Sequence, residues 1–175
     1  MNIDLIYDLE DNIKVAFALA IAEKAFDVIE KDDERYLDGR KALDTCWAWV
    51  ESYSVSGDEI YELIDNAEFE GISEFAEDEE DLNIARMWSL LVDTVAYTAW
   101  QAYKKEKTKY LPQALEGIKE DSLDVYYQSA LETSFITNEQ IQNMKRQLMK
   151  NQQYFNGVTI TKEDFLIKFK VCEAN

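Results

Sequence analysis

The sequence predicts an all-α fold: a single-domain helical bundle of about six to eight helices around a buried central helix at 79–107. Three observations predict it. Only five glycines and one proline occur in 175 residues, so the turns that connect β-hairpins have little material to form from. Apolar residues recur at steps of three and four over long stretches, which is the period of a helix face and not of a strand. The chain is 47% apolar and 13% aromatic, enough to offset its ordering entropy despite a formal charge of −18. Its length suits one core, with residues 1–175 as one domain.

The first helix is expected in KVAFALAIAEKAFDVIEK, where Val15, Leu19, Ala22, Phe26 and Ile29 share one face that turns inward. The second lies in DGRKALDTCWAWVESYS, where Leu43, Cys46, Val50 and Tyr53 repeat the pattern. Trp47 and Trp49 cannot face the same way on that helix, so one of them is expected at the core edge or the surface. Ser56-Gly-Asp-Glu59 is a capping box and opens a short helix, Asp58 to Asn66. The central helix follows, and from Met87 to Tyr103 it carries one charge, Asp93. It is expected to be the most buried, with Trp88 and Trp100 in the core and an arginine such as Arg40 or Arg86 paired with Asp93. Carboxylates at Asp78 to Asp81 suit its amino end, and Lys104, Lys105, Lys107 and Lys109 its carboxyl end.

Beyond it, YLPQALEG reads as a short helical turn between Pro112 and Gly117. Asp121 to Glu132 and Thr137 to Lys150 form two further helices, the second opened by another capping box, T-N-E-Q. Gly157 ends that run. VTITKEDFLIKFK either pairs as a short strand through its β-branched start or forms a last helix capped by Thr161.

The chemistry available is narrow. The chain has no histidine, which removes the commonest general base and metal ligand near neutral pH. Phosphate-binding glycine loops, nucleophile elbows and ExxH pairs are also missing from the sequence. No catalytic residue, cofactor, metal site or small-molecule substrate is therefore expected. Calcium would bind only adventitiously, since the acidic region lacks the D-x-[DN]-x-[DN]-G loop. Cys46 and Cys172 have apolar neighbours and no metal spacing, which suits buried free thiols in a reducing compartment. The acidic start MNIDLIYDLEDN lacks the basic region of a secretion signal, and Val15 to Ala22 is too short to span a bilayer, so a cytoplasmic location is expected.

Charge is the informative feature. Residues 1–81 hold 25 acidic against 6 basic residues, a net of −19, while residues 82–175 are nearly balanced. Between Lys41 and Arg86 lie fourteen acidic residues and no basic one. One helix end interacts usefully only within its first turn, so capping explains few of them. A field of this sign repels nucleic acid and anionic lipid and attracts basic surfaces. The candidate binding surface comprises Asp58, Glu59, Glu62, Asp65, Glu68, Glu70, Glu74, Glu77 and Asp78, with Tyr61, Phe69 and Phe75 interleaved as apolar anchors or turned inward to hold the loop.

GRKALDTCWAWVE (39–51) and MWSLLVDTVAYTAWQAYKKEKTKYLPQALE (87–116) resemble the all-α immunity proteins of bacterial polymorphic toxin systems, in the sixth-numbered Imm family. The resemblance rests on W-x-x-L, A-Y-T-A-W-x-A-Y and L-P-Q-x-x-E, over about a quarter of the chain. It implies a non-catalytic protein that binds and neutralises a cognate toxin domain. A toxin acting on nucleic acid needs a cationic cleft, so a nuclease with a basic surface fits the charge map. The alternatives are an acidic α-helical adaptor or nucleic-acid mimic and, further off, a histidine-free enzyme.

Overall fold

A computed structural model describes residues 6–66, 68, 71–155 and 157–168. Among the described residues are nine α-helices and no strand. Alanine decides how the first helix is used. In α1 (Asp11–Phe26) residues 12–22 are all buried, together with Ala25 and Phe26. The alanines at 16, 18, 20, 22 and 25 keep the helix thin, so neighbours approach it from every side: it touches α2 (Tyr36–Ser52), α5 (Leu82–Glu106), α6 (Ser122–Glu132) and α9 (Lys162–Lys168). The expectation of one inward face is thus corrected, and α1, not α5, is the more completely buried helix. α5 is central in a different sense. It packs against α1, α2, α3 (Gly57–Tyr61), α4 (Ser73–Asp78) and α6, while Ser89 and Asp93 keep one strip of it exposed.

The ends of α5 follow from local chemistry. Asp81 accepts hydrogen bonds from the amides of Asn83 and Ile84 at 2.9 and 3.1 Å, and Lys107 closes the helix in the left-handed region with φ 56°. Trp88 is fully buried with its ring edge-on to Phe26 and Phe75. Trp100 departs from expectation. It shares the outward strip of Asp93, Ala96 and Lys104, is half-buried, stacks on Tyr97 and lies under the Lys104 ammonium.

Both tryptophans of α2 are 2% exposed, so neither reaches the surface. For Trp47 the cover is α9, which folds back over α2 and sets Phe165 against that ring, centroids 5.9 Å apart. Of the two readings of the tail, the helix is the one that forms, and Thr161 accepts from the Asp164 amide as its cap. Between α6 and α9 lie α7 (Asn138–Lys150), opened by the Thr137–Gln140 capping box, and the single turn α8 (Gln152–Phe155). Glu23 ties three helices together. It accepts from Arg40 at 2.5 and 2.8 Å, from the Trp47 indole at 3.0 Å, and pairs with Lys162 at 3.1 Å. Burial works to raise its carboxyl pKa, but the hydrogen bonds from Arg40 and the charges of Arg40 and Lys162 prevail and hold it below the ordinary range. Cys46 is a buried free thiol pushed up to about 12 by burial; Cys172 lies outside the described residues.

Candidate functional site

Between α2 and α5 the acidic interval forms two short helices, α3 and α4, both packed against α5, with α3 also meeting α2. The Ser56 box forms as expected: its hydroxyl accepts from the Glu59 amide, and the Glu59 carboxylate accepts from the Ser56 amide at 2.9 Å. The Ser56 amide, together with the Ser56 hydroxyl that also donates to this carboxylate at 2.8 Å, holds the Glu59 carboxyl below its ordinary range. A Cβ at residue 57 would lie 2.7 Å from the Tyr103 ring, so only glycine lets α3 sit this close to α5. There the Gly57 amide donates to Glu106 at 2.8 Å and the Tyr103 hydroxyl to Asp58.

α3 is shorter than the predicted Asp58–Asn66. It stops at Tyr61, and Leu63 and Ile64 donate to the carbonyls of Ile60 and Tyr61, tighter than α-helical bonds. The chain then leaves and returns. Ile72 donates to the Leu63 carbonyl at 3.0 Å, and the Ser73 amide and hydroxyl both donate to the Ile64 carbonyl. At Gly71 an added Cβ would meet that carbonyl oxygen at 1.8 Å, so the closure requires glycine. α4 follows and lays Phe75 on Trp88, centroids 4.9 Å apart.

Between α2 and these pieces lies an open groove of about 560 Å³. Val55, Leu63 and Ile72 supply its apolar lining, Glu59 and Glu62 line it from the α3 side, and Asp38, Lys41 and Thr45 from α2. The sequence reading missed the α2 contribution, although the spacing of three and four in Asp38, Lys41 and Thr45 marks a polar stripe on that helix.

The predicted site residues divide by what they touch. Asp58 and Glu59 are engaged within the fold, as described. Tyr61 is half-buried and packs on the core with Phe75. Glu62, Asp65, Glu68, Glu77 and Asp78 are exposed and Glu74 is half-buried. Phe69 and Glu70 lie outside the described residues. Elsewhere in the interval, Asp44 pairs with Arg40 and Lys162, Glu51 accepts from the Lys162 amide, Glu79 pairs with Arg35 at 2.7 Å and Asp81 caps α5. Glu62, Asp65, Glu68, Glu74, Glu77, Asp78 and Glu80 form no ion pair among the described residues.

Two apolar side chains that the sequence did not mark stand in the open near these acids. Leu37 is 75% exposed at the start of α2 and Leu82 is 63% exposed at the start of α5. The Arg35–Glu79 pair fastens those two starts to the same end of the molecule. Among the described residues no group of three or more histidine, cysteine, aspartate or glutamate side chains is disposed to hold a metal ion, and no helix is long and apolar enough to cross a membrane.

No curated protein and no solved structure matches the chain. A family model described as "Immunity protein Imm6" matches residues 13–133. The matched region runs from α1 through the end of α6 and contains the entire acidic interval. With well over half of its length matched, the chain belongs to the Imm6 family of immunity proteins.

Proposed function

We propose that this protein neutralises a cognate toxin domain by binding it, without catalysis, through the acidic surface of residues 58–81, and that the toxin presents a basic surface there. The carrying observation is the set of seven carboxylates, Glu62, Asp65, Glu68, Glu74, Glu77, Asp78 and Glu80, that no described cation neutralises. Like charges left unpaired destabilise the free protein slightly, and a basic partner relieves them. The groove beside them supplies an apolar lining, and Leu37 and Leu82 supply exposed anchors, which charge alone does not. A nuclease is the toxin class whose substrate demands such a basic cleft.

The test is reversal of Glu62, Asp65 and Glu68 to lysine. Six units of charge change, and each unit about 8 Å from one partner cation is worth roughly 0.2 kcal/mol at physiological salt. Association with the toxin domain encoded beside the gene should slow about eightfold, and by more at low salt, with folding intact. The matched control reverses Glu116, Glu132 and Glu139, which are exposed and form no ion pair among the described residues. Glu120 is unsuited to that purpose because it pairs with Lys14 and Lys104. Equal association by both triple variants would remove the acidic surface from the mechanism. An acidic adaptor or nucleic-acid mimic differs in a measurable way: a mimic inhibits unrelated DNA-binding proteins too.

A further inference from the structure

Asp93 is the one charged residue between Met87 and Tyr103, and the arginines expected to pair with it are engaged elsewhere. Arg40 belongs to Glu23 and Asp44, and Arg86 donates to the Glu132 carbonyl at 3.2 Å. Among the described residues Asp93 has no ion pair. It stands instead at a cavity of about 300 Å³ between α5, the turn at 117–118 and α6, walled by Ala96, Tyr97, Ile118, Val125 and Tyr126.

The other polar side chains of this lining already have partners within the fold. The Tyr126 hydroxyl donates to the Ala18 carbonyl at 2.7 Å and accepts from Thr94. The Tyr97 hydroxyl accepts from Gln101 at 2.9 Å, and the Ser122 hydroxyl accepts from the Lys119 amide. Asp93 is left as an uncommitted acceptor on an otherwise apolar wall. It is open to solvent on one side and crowded on the others, and burial pushes its carboxyl up to about 6. Val125, 69% exposed, forms part of the rim.

We propose that this cavity receives the side chain of an arginine from a partner protein, its guanidinium on the Asp93 carboxylate and its aliphatic stem along Ala96, Ile118 and Val125. Charge complementarity names a cation. Arginine fits better than lysine because its guanidinium is weakly hydrated, pairs with a carboxylate through two parallel bonds and stacks on rings such as Tyr97. A protein-borne arginine fits better than a free cation because its flanking chain also covers Val125, which a small molecule leaves wet. The site is separate from the acidic groove. Asp93 and Tyr97 border the α6 side of α5, whereas Trp88 and Tyr103 of the same helix meet α4 and α3. The inference therefore stands or falls independently of the acidic surface.

The experiment titrates the full-length, isotope-labelled protein with the capped tripeptide Gly-Arg-Gly, its citrulline counterpart and agmatine, following backbone amide shifts. The arginine peptide should give saturable shifts at Asp93, Tyr97, Ile118 and Val125, with the neutral citrulline peptide at least tenfold weaker and agmatine weaker than the arginine peptide. Asp93→Asn should bind the arginine and citrulline peptides alike while the rest of its spectrum stays native. Absence of saturable shifts at these residues, or equal binding of both peptides by the wild type, overturns the proposal. Agmatine binding as tightly as the arginine peptide overturns the protein-borne occupant. If Asp93→Asn loses its native spectrum, Asp93→Ser and Val125→Lys take its place, and either retaining full preference for arginine counts against the site.

Discussion

Replacing Glu23 by glutamine keeps the shape of the side chain and removes its charge at the point where α1, α2 and α9 meet. The carboxylate is 14% exposed and serves Arg40, Lys162 and the Trp47 indole. Removing one member of a fully buried pair costs roughly 3–5 kcal/mol. Here the cations are 23% and 30% exposed, and Asp44 still reaches both, so the expected cost is about 2–3 kcal/mol. For a chain of this size that lowers Tm by roughly 4–10 °C at pH 7. The pH arm has a fixed sign. Glu23 has a lowered pKa in the folded protein, so its contribution is complete above the ordinary value of 4.5 and is lost as pH falls through the folded value. Thermal melts followed by circular dichroism at pH 7 and pH 3 measure both effects; the gap between wild type and Glu23→Gln should narrow in acid. A variant that melts with the wild type at pH 7, or a gap that is the same at both pH values, refutes the reasoning.

Other expectations follow from the same packing. Trp88→Ala should cost about 3–5 kcal/mol in urea unfolding, whereas Trp100→Ala, at the half-buried rim, should cost about 1 kcal/mol, and equal losses would contradict their different burial. Gly71→Ala should destabilise by about 1–3 kcal/mol and speed hydrogen exchange at Ile72 and Ser73, while Gly117→Ala, which meets nothing, should leave both unchanged. Asp93 has the opposite linkage to Glu23: its folded pKa is raised, so the native state holds the proton more tightly and loses stability as pH climbs from 3.8 through about 6. Asp93→Asn should therefore raise Tm at pH 7.5 and lose that advantage below pH 3.8; the open side of the carboxyl limits the gain to about 1 kcal/mol.

What was legible in the sequence was what short-range chemistry decides. Both capping boxes, the Asp81 cap and the helical class depend on residues three or four apart, and all of them form. Burial around a whole helix was less legible. The Val15–Phe26 stripe announced one inward face, but the alanines between its members let neighbours close on the others. Trp47 is buried by Phe165, 118 positions later in the chain, and no window on α2 contains that information. The same holds for Asp93, whose expected arginines are drawn off by Glu23 and by a carbonyl at the end of α6. At the candidate site the density of charge was plain, while the division of labour within it was not. Asp58 and Glu59 look like their neighbours in sequence, yet the contacts of Tyr103 and Ser56 commit them to the fold.

The meeting of Leu63 and Ile64 with Ile72 and Ser73 makes the intervening segment a cassette on a stem. Its ends are fastened to each other by backbone groups and the Ser73 hydroxyl, a closure that constrains Gly71 among the positions between them. Residues within it other than Gly71, whose missing side chain the closure requires, can be exchanged at the modest entropic cost of altering a closed loop, without repacking α1 or α5. An immunity protein is matched to a toxin that can change. Under the proposed function, exchanges at Asp65 and Glu68 would change affinity for the toxin while the scaffold, fastened at Leu63–Ser73, keeps its stability.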